Sequence, residues 1–198
     1  VMRIVLASGN AGKVAELRQL LAGSDIELVP QTALGVGDAD ETGLTFVENA
    51  LIKARHAARA TGLPALADDS GICVDALGGA PGLYAARYAG VHGDNAANNA
   101  KLLRELDGVP AEKRTAYFIA VLVWLRHADD PAPLIAEGRW QGRILEAPRG
   151  TGGFGYDPLF LPDGSELGAG ELDAELKNRL SHRGQALAVL KARLSELA

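Results

Sequence analysis

The chain has 198 residues, 47% of them apolar and 23% charged, with a formal net charge of −5. That is the balance of one globular domain with a proper core, and its acidity lacks the basic surface of a general nucleic-acid binder. The longest apolar run, Phe118 to Leu125, is too short for a membrane span; lone Cys73 cannot form an intrachain disulfide, and VMRIVLASGN lacks signal-peptide features, so a cytoplasmic protein with no membrane or nucleic-acid partner is expected.

RIVLA (3–7) reads as a short buried strand closed by the turn Ser8-Gly9-Asn10, followed by a helix with Val14, Leu17, Leu20 and Leu21 on one stripe and Glu16 and Arg18 off it. DIELVPQ (25–31) reads as a second strand, and 33–44 as an acidic loop. Thr45 and Glu48 form a capping-box signature for a helix over 46–60, with Val47, Leu51, Ala54 and Ala58 on one face and Lys53 near the opposite side. PALA (64–67) reads as a strand running into Asp68-Asp69-Ser70-Gly71, with ICVDAL beyond it, and 78–93 as an ordered Gly- and Tyr-rich loop. A helix over 94–106 has Asp94 as N-cap; 115–127 reads as a central strand, and 134–145 as a strand pair turning at Gly138 or Gly142. A final helix over 183–197 carries Leu187, Leu190 and Leu194. Strands mixed with helices imply an α/β fold whose sheet is not purely parallel.

GTGGFG contains a literal G-x-G-x-x-G at Gly150, Gly152 and Gly155. The dinucleotide fingerprint needs a helix to open after it, and Tyr156-Asp157-Pro158 predicts extended chain at Asp157 instead, so that reading fails. In ASGNAGKVAEL (7–17) a strand, a polar turn, a lysine and a helix follow one another, which suits phosphate binding at a helix start. The spacing from Gly9 to Gly12-Lys13 is not that of a P-loop, and a strand–helix turn with a solvated lysine is the bland alternative.

In ADDSG two adjacent carboxylates on a strand point to opposite faces, so one of them, Asp69, is the candidate to face a cleft and hold Mg²⁺; an Asx turn is the alternative. Asp40 and Glu41 could supply a second ligand or be solvated. In FGYD (154–157), Phe154 could stack on a base and Asp157 accept from a ring N–H, or the aromatics could plug a core. KNRLSHRG (177–184) gathers Lys177, His182 and Arg183, or is a polar surface loop capped by Ser181.

Taken in order, LASGNAGKVAEL, ETGLTFVENALIKA, ADDSGICVDALGGAPGLYAARYAG, GTGGFGYDPLF and KNRLSHRGQAL closely resemble the inosine triphosphate pyrophosphatase family, over nearly the whole chain. The resemblance implies one domain, 1–198, with a long mixed sheet flanked by helices, in two lobes with an active cleft between them. It also implies hydrolysis of non-standard purine triphosphates (ITP, dITP, XTP) to the monophosphate and pyrophosphate, a Mg²⁺ cofactor and a homodimer. By motif, Ser8, Gly9, Asn10, Ala11, Gly12 and Lys13 are similar to the family's triphosphate turn, and Asp69 to its catalytic carboxylate and metal ligand.

Ser70 matches a substrate contact, Glu41 the second metal-associated carboxylate, and Lys53 a charge near the phosphates. Phe154, Gly155, Tyr156 and Asp157, with Lys177, His182 and Arg183, match segments that hold the base and the rest of the nucleotide. Gly168, Gly170 and Leu176 stand where the family has threonine, alanine and an acid. The resemblance also implies how the base is read: donors from His182, Arg183 or backbone meet O6, Asp157 meets N1–H, and adenine leaves these groups unpaired. The rival readings are a Maf-type pyrophosphatase, which FGYD and SHR do not resemble, and a non-catalytic nucleotide sensor.

Overall fold

In the computed structural model, which describes residues 1–196, the strands are β1 (Met2–Leu6), β2 (Ile26–Pro30), β3 (Ala65–Val74), β4 (Thr115–Leu125), β5 (Leu134–Ile144) and β6 (Phe160–Pro162). The helices are α1 (Ala11–Leu21), α2 (Phe46–Thr61), α3 (Asn95–Glu105), α4 (Ala174–Leu180) and α5 (His182–Glu196). The six strands form one sheet in the order β2-β1-β3-β4-β5-β6. β1 runs parallel to β2 (Val5 opposite Val29) and to β3 (Leu6 opposite Leu66), whereas β5 and β6 are antiparallel, so the sheet is mixed as expected. Parallel neighbours require crossovers; α1 links β1 to β2, and α2 lies between β2 and β3 in the chain.

The chain divides into two compact units: Val1–Asp69, Ala120–Gly138 and the chain from Arg183 onward form the first, and Ser70–Ile119 with Arg139–His182 the second. Each has its own core. The first buries Ile4, Leu6, Leu17, Leu122, Leu187 and Leu190; the second buries Ile72, Leu102, Phe118, Trp140, Leu159 and Phe160. Thr45 caps α2 through its side-chain oxygen, which accepts from Glu48 N at 3.2 Å, and Asp94 caps α3 by accepting from Ala97 N at 3.1 Å.

Five expectations change. β3 does not stop at Ala67 but continues as an extended strand through Asp68, Asp69, Ser70 and Gly71, because both carboxylates find cationic partners away from their own backbone. The segment 134–145 is one strand, not a pair. Gly142 marks a close approach: a Cβ there would lie 2.4 Å from Leu161 O and 2.6 Å from the Phe160 ring. A 3-10 turn opens at Asp157, with Pro158 near its start where a missing N–H is tolerated. Lys53 does not face solvent, its side chain being 15% exposed. The segment 177–184 is helical and largely buried rather than a surface loop, with α4 preceding α5; residue 197, the last of the expected final helix, lies outside the described residues.

Candidate active site

In the first unit β1 delivers the chain to Ser8, and Asn10 starts α1 in extended conformation with its Oδ1 accepting from Lys13 N at 3.1 Å. The exposed start of α1 therefore keeps unused backbone N–H capacity of the kind that anions bind. Gly9 is confined by Thr32, whose Cγ2 a Cβ would meet at 2.6 Å. Lys13 reaches back along the sheet, its Nζ lying 3.0 Å from Asp68 Oδ1 and 3.4 Å from Asp68 O. Lys53, from α2, donates to the same carbonyl at 2.9 Å. The two ammonium groups thus share one backbone oxygen.

Lys53 also meets Asp69 Oδ1 at 3.0 Å and Glu41 Oε1 at 2.9 Å. Burial disfavours its charge, but the two carboxylates outweigh burial and raise its pKa. For Lys13 burial wins: it pushes the pKa down, with Lys53 and Arg183 adding to the effect against Asp68. An ammonium left short of negative charge is one that an incoming phosphate would stabilise.

Asp68 and Asp69 have opposite fates, as alternation along a strand dictates. Asp68 is fully buried and grips Arg183, whose Nε lies 2.7 Å from Oδ2 and Nη2 3.4 Å from Oδ1. Arg183 Nη1 meets Glu16 Oε2 at 2.5 Å. Burial alone would raise the Asp68 carboxyl, but the charges of Arg183 and Lys13 hold it well below the usual carboxylate range. Asp69 is raised instead, chiefly by burial and in spite of Lys53. Its Oδ2 is buried without a hydrogen-bond partner among the described residues. An orphaned carboxylate oxygen, with Glu41 on the same lysine, is a donor set whose chemistry suits a hard divalent cation retaining several waters. Asp40 is exposed.

In the second unit the glycine loop closes on Asp157. Its Oδ2 accepts from Phe154 N at 2.9 Å and lies 3.0 Å from Lys177 Nζ, which sits 5.1 Å from the Phe154 ring centroid. Gly153 has φ +69, and a Cβ there would fall 2.1 Å from Asp157 Oδ2. Tyr156 OH donates to Ala85 O at 2.6 Å, and Asn99 Nδ2 donates to Gly155 O at 3.1 Å. His182 stacks on Phe118 with ring centroids 4.7 Å apart and an interplanar angle of 10°. At Gly170, where the resemblance predicts alanine, the backbone is tightly enclosed. Its O accepts from Gly152 N at 2.8 Å, and a Cβ on it would lie 2.7 Å from Arg149 O.

The structure thus gathers Lys13, Glu41, Lys53 and Asp69 in the first unit, with Ser70 next along β3. It gathers Phe154, Gly155, Tyr156, Asp157 and Lys177 in the second, which also holds His182. Arg183 falls in the first unit, with three of its five N–H donors on Asp68 and Glu16. Asn99 escaped sequence reading. The reading of Glu16 as lying off the apolar stripe of α1 is corrected: Glu16 is buried, because the Arg183 guanidinium pairs with its carboxylate.

Paired half-buried ammonium groups, an anion-suited helix start and a carboxylate with an open oxygen define an α/β protein of the phosphate-handling class. A sequence model described as the Ham1 family matches residues 4–193, and the chain belongs to that family. It is 65% identical to a dITP/XTP pyrophosphatase of Xanthomonas campestris pv. campestris over 98% of each chain. It is 61% identical to one from Thioalkalivibrio sulfidiphilus, over 98% of each chain. Among solved structures, a HAM1 protein from Coxiella burnetii is similar with a TM-score of 0.89 and 49% identity, over 99% of this chain and 100% of that one.

Proposed function

We propose that this chain clears deaminated purine nucleotides by hydrolysing dITP, ITP and XTP to the monophosphate and pyrophosphate. The enzyme is a nucleoside triphosphate pyrophosphatase: water attacks the α-phosphorus, the α–β phosphoanhydride bond breaks and pyrophosphate leaves. The observation that carries this reading is the pair of ammonium groups on the Asp68 carbonyl beside an Asp69 carboxylate with an open oxygen.

Residues 8–13 cradle the triphosphate with backbone N–H groups, and Lys13 and Lys53 stabilise charge that develops on the leaving pyrophosphate. Asp69 orients or deprotonates the attacking water. Asp69 and Glu41 would hold Mg²⁺, which when bound supplies neutralisation of phosphate charge and acidification of water. Ser70 contacts the substrate next to them. Phe154 to Asp157 read the base, Lys177 adds charge at the nucleotide, and His182 and Arg183 complete its contacts, Arg183 while also pinning Asp68. The active species in this reading is a homodimer in the cytoplasm, one domain of two lobes per chain. Among the described residues no helix is long and apolar enough to cross a membrane.

The test is turnover with Mg²⁺ on ITP, XTP, GTP, ATP, dTTP and UTP, with pyrophosphate and orthophosphate assayed separately. Pyrophosphate from ITP and XTP, with adenine discriminated by ~10⁴-fold, is the expected result. Orthophosphate alone would move attack to the terminal phosphate and undo the mechanism. Pyrophosphate from pyrimidine nucleotides would leave the lysines standing and sink the base loop.

The loop itself is tested by Gly153→Ala. A left-handed alanine costs about 1–2 kcal/mol, and the methyl group would displace Asp157 from Phe154 N and Lys177. The strain lowers stability, whereas the displacement of Asp157 should raise KM for ITP about tenfold, a loss of ~1.4 kcal/mol of binding, with kcat much less affected. An unchanged KM would show that the Asp157 closure does not shape the base site.

A further inference from the structure

Helix α3 carries two consecutive asparagines with different bonding. Asn98, 1% exposed, is satisfied at both ends of its amide: Oδ1 accepts from Ala89 N at 2.8 Å and Nδ2 donates to Ala86 O at 3.0 Å. That is how a side chain holds a loop in place. Asn99 instead spends only its donor end, on Gly155 O at 3.1 Å. Its Oδ1 is buried without a partner among the described residues. A buried unsatisfied acceptor costs about 1–3 kcal/mol, so this end of the amide does not stabilise the fold. The useful part of Asn99 is its bond to Gly155.

Gly155 has φ +61 and, as glycine, no side chain to anchor it. Its neighbours are tied down: Phe154 through Asp157, and Tyr156 through Ala85. The orientation of the peptide between Gly155 and Tyr156 is a separate freedom, because glycine reverses its adjoining peptide planes at little cost. In a trans peptide the C=O and the following N–H lie on opposite edges of one plane. Pinning Gly155 O toward α3 therefore fixes the direction of the Tyr156 N–H, away from the helix. The orientation decides which edge of this peptide, donor or acceptor, a bound base meets. A 6-keto purine presents an acceptor at O6, whereas adenine presents an amino donor there.

We propose that Asn99 is a positioning residue for purine selectivity, acting through the Gly155 carbonyl. The inference rests on the reading of residues 154–157 as the base loop. The amide is also polarised: reversed, it would set Oδ1 against Gly155 O and bury an unused donor.

Asn99→Asp is isosteric and turns a donor toward Gly155 O into a repelling carboxylate. The experiment measures kcat/KM for ITP and for ATP, together with Tm, in Asn99→Asp, Asn99→Ser and Phe154→Ala. Asn99→Asp should lower the ITP-to-ATP ratio by about tenfold or more, and Asn99→Ser by about three- to tenfold, the worth of one hydrogen bond. For ITP the loss should appear in KM rather than kcat. Should Asn99→Asp fail to fold, Asn99→Ser decides. A lowered Tm with both substrates slowed in parallel, and the ratio unmoved, would make Asn99 structural and overturn the inference. If the ratio is unmoved while Phe154→Ala raises KM for ITP, the inference falls and the base loop stands. A Phe154→Ala enzyme with unaltered ITP kinetics would remove both.

Discussion

Replacing Asp69 with asparagine is expected to lower kcat for ITP by about 10³-fold, within the range for loss of a positioned acid–base group, and to leave Tm unchanged or higher. The amide keeps the shape of the carboxylate but can neither take a proton from water nor offer a charged oxygen to a cation. The stability half follows from the site as it stands. Burial pushes the Asp69 carboxyl up, which means that its ionised form is held at a cost in the folded protein. A neutral side chain escapes that cost, and Lys53 retains Glu41 at 2.9 Å. Thermal melts and steady-state kinetics on the same preparation separate the two effects. Retention of kcat within tenfold, with substrate and Mg²⁺ still bound, would remove Asp69 from the chemistry.

The second large effect concerns the fold beneath the site. Arg183→Met should destabilise the protein by about 3–5 kcal/mol, the usual cost of stranding a buried charge, and lower Tm on the order of 10 °C. Asp68 would keep only Lys13, and Glu16 would lose its ion pair with the guanidinium. The deficit depends on pH with a definite sign. Asp68 is held well below the ordinary carboxylate value, so its contribution is complete above about pH 4 and is lost as pH falls through its folded value. Without Arg183 the carboxyl is less depressed and protonates at higher pH. The Tm gap between the parent and Arg183→Met should therefore narrow as pH falls from 7 toward 3. A gap under 2 °C at pH 7 would mean that the cluster is solvated and contributes little.

The elements that sequence reading placed best are those whose causes are local. β1 and β4 are apolar runs, and α2 and α3 begin at side-chain caps that sit where Thr45 and Asp94 predicted. Apart from the 3-10 turn at Asp157, which is local, the main misreadings arise from distant partners. Asp68-Asp69-Ser70-Gly71 has the composition of a turn, yet stays extended because Lys53 and Arg183, the latter 115 residues along from Asp68, neutralise it. Gly142 looks like a turn and is instead a gap for the Phe160 ring.

The same logic governs the site. Lys13, Glu41, Lys53 and Asp69 were legible as a motif series, and the structure joins them through Lys53 and the Asp68 carbonyl. The work of Glu16 and Asn99 lies in single contacts with Arg183 and Gly155, which no spacing along one helix announces.

The shared acceptor of the two lysines has a consequence for how such a site can change over generations. Because Lys13 and Lys53 both lean on the carbonyl oxygen of residue 68, part of their spacing is set by an atom that every amino acid carries. Drift at position 68 can remove a charge, but it cannot remove this anchor. Adjustments to catalysis are therefore channelled into the lysines themselves and the carboxylates around them, while the point on which both ammonium groups rest is inherited with the polypeptide chain.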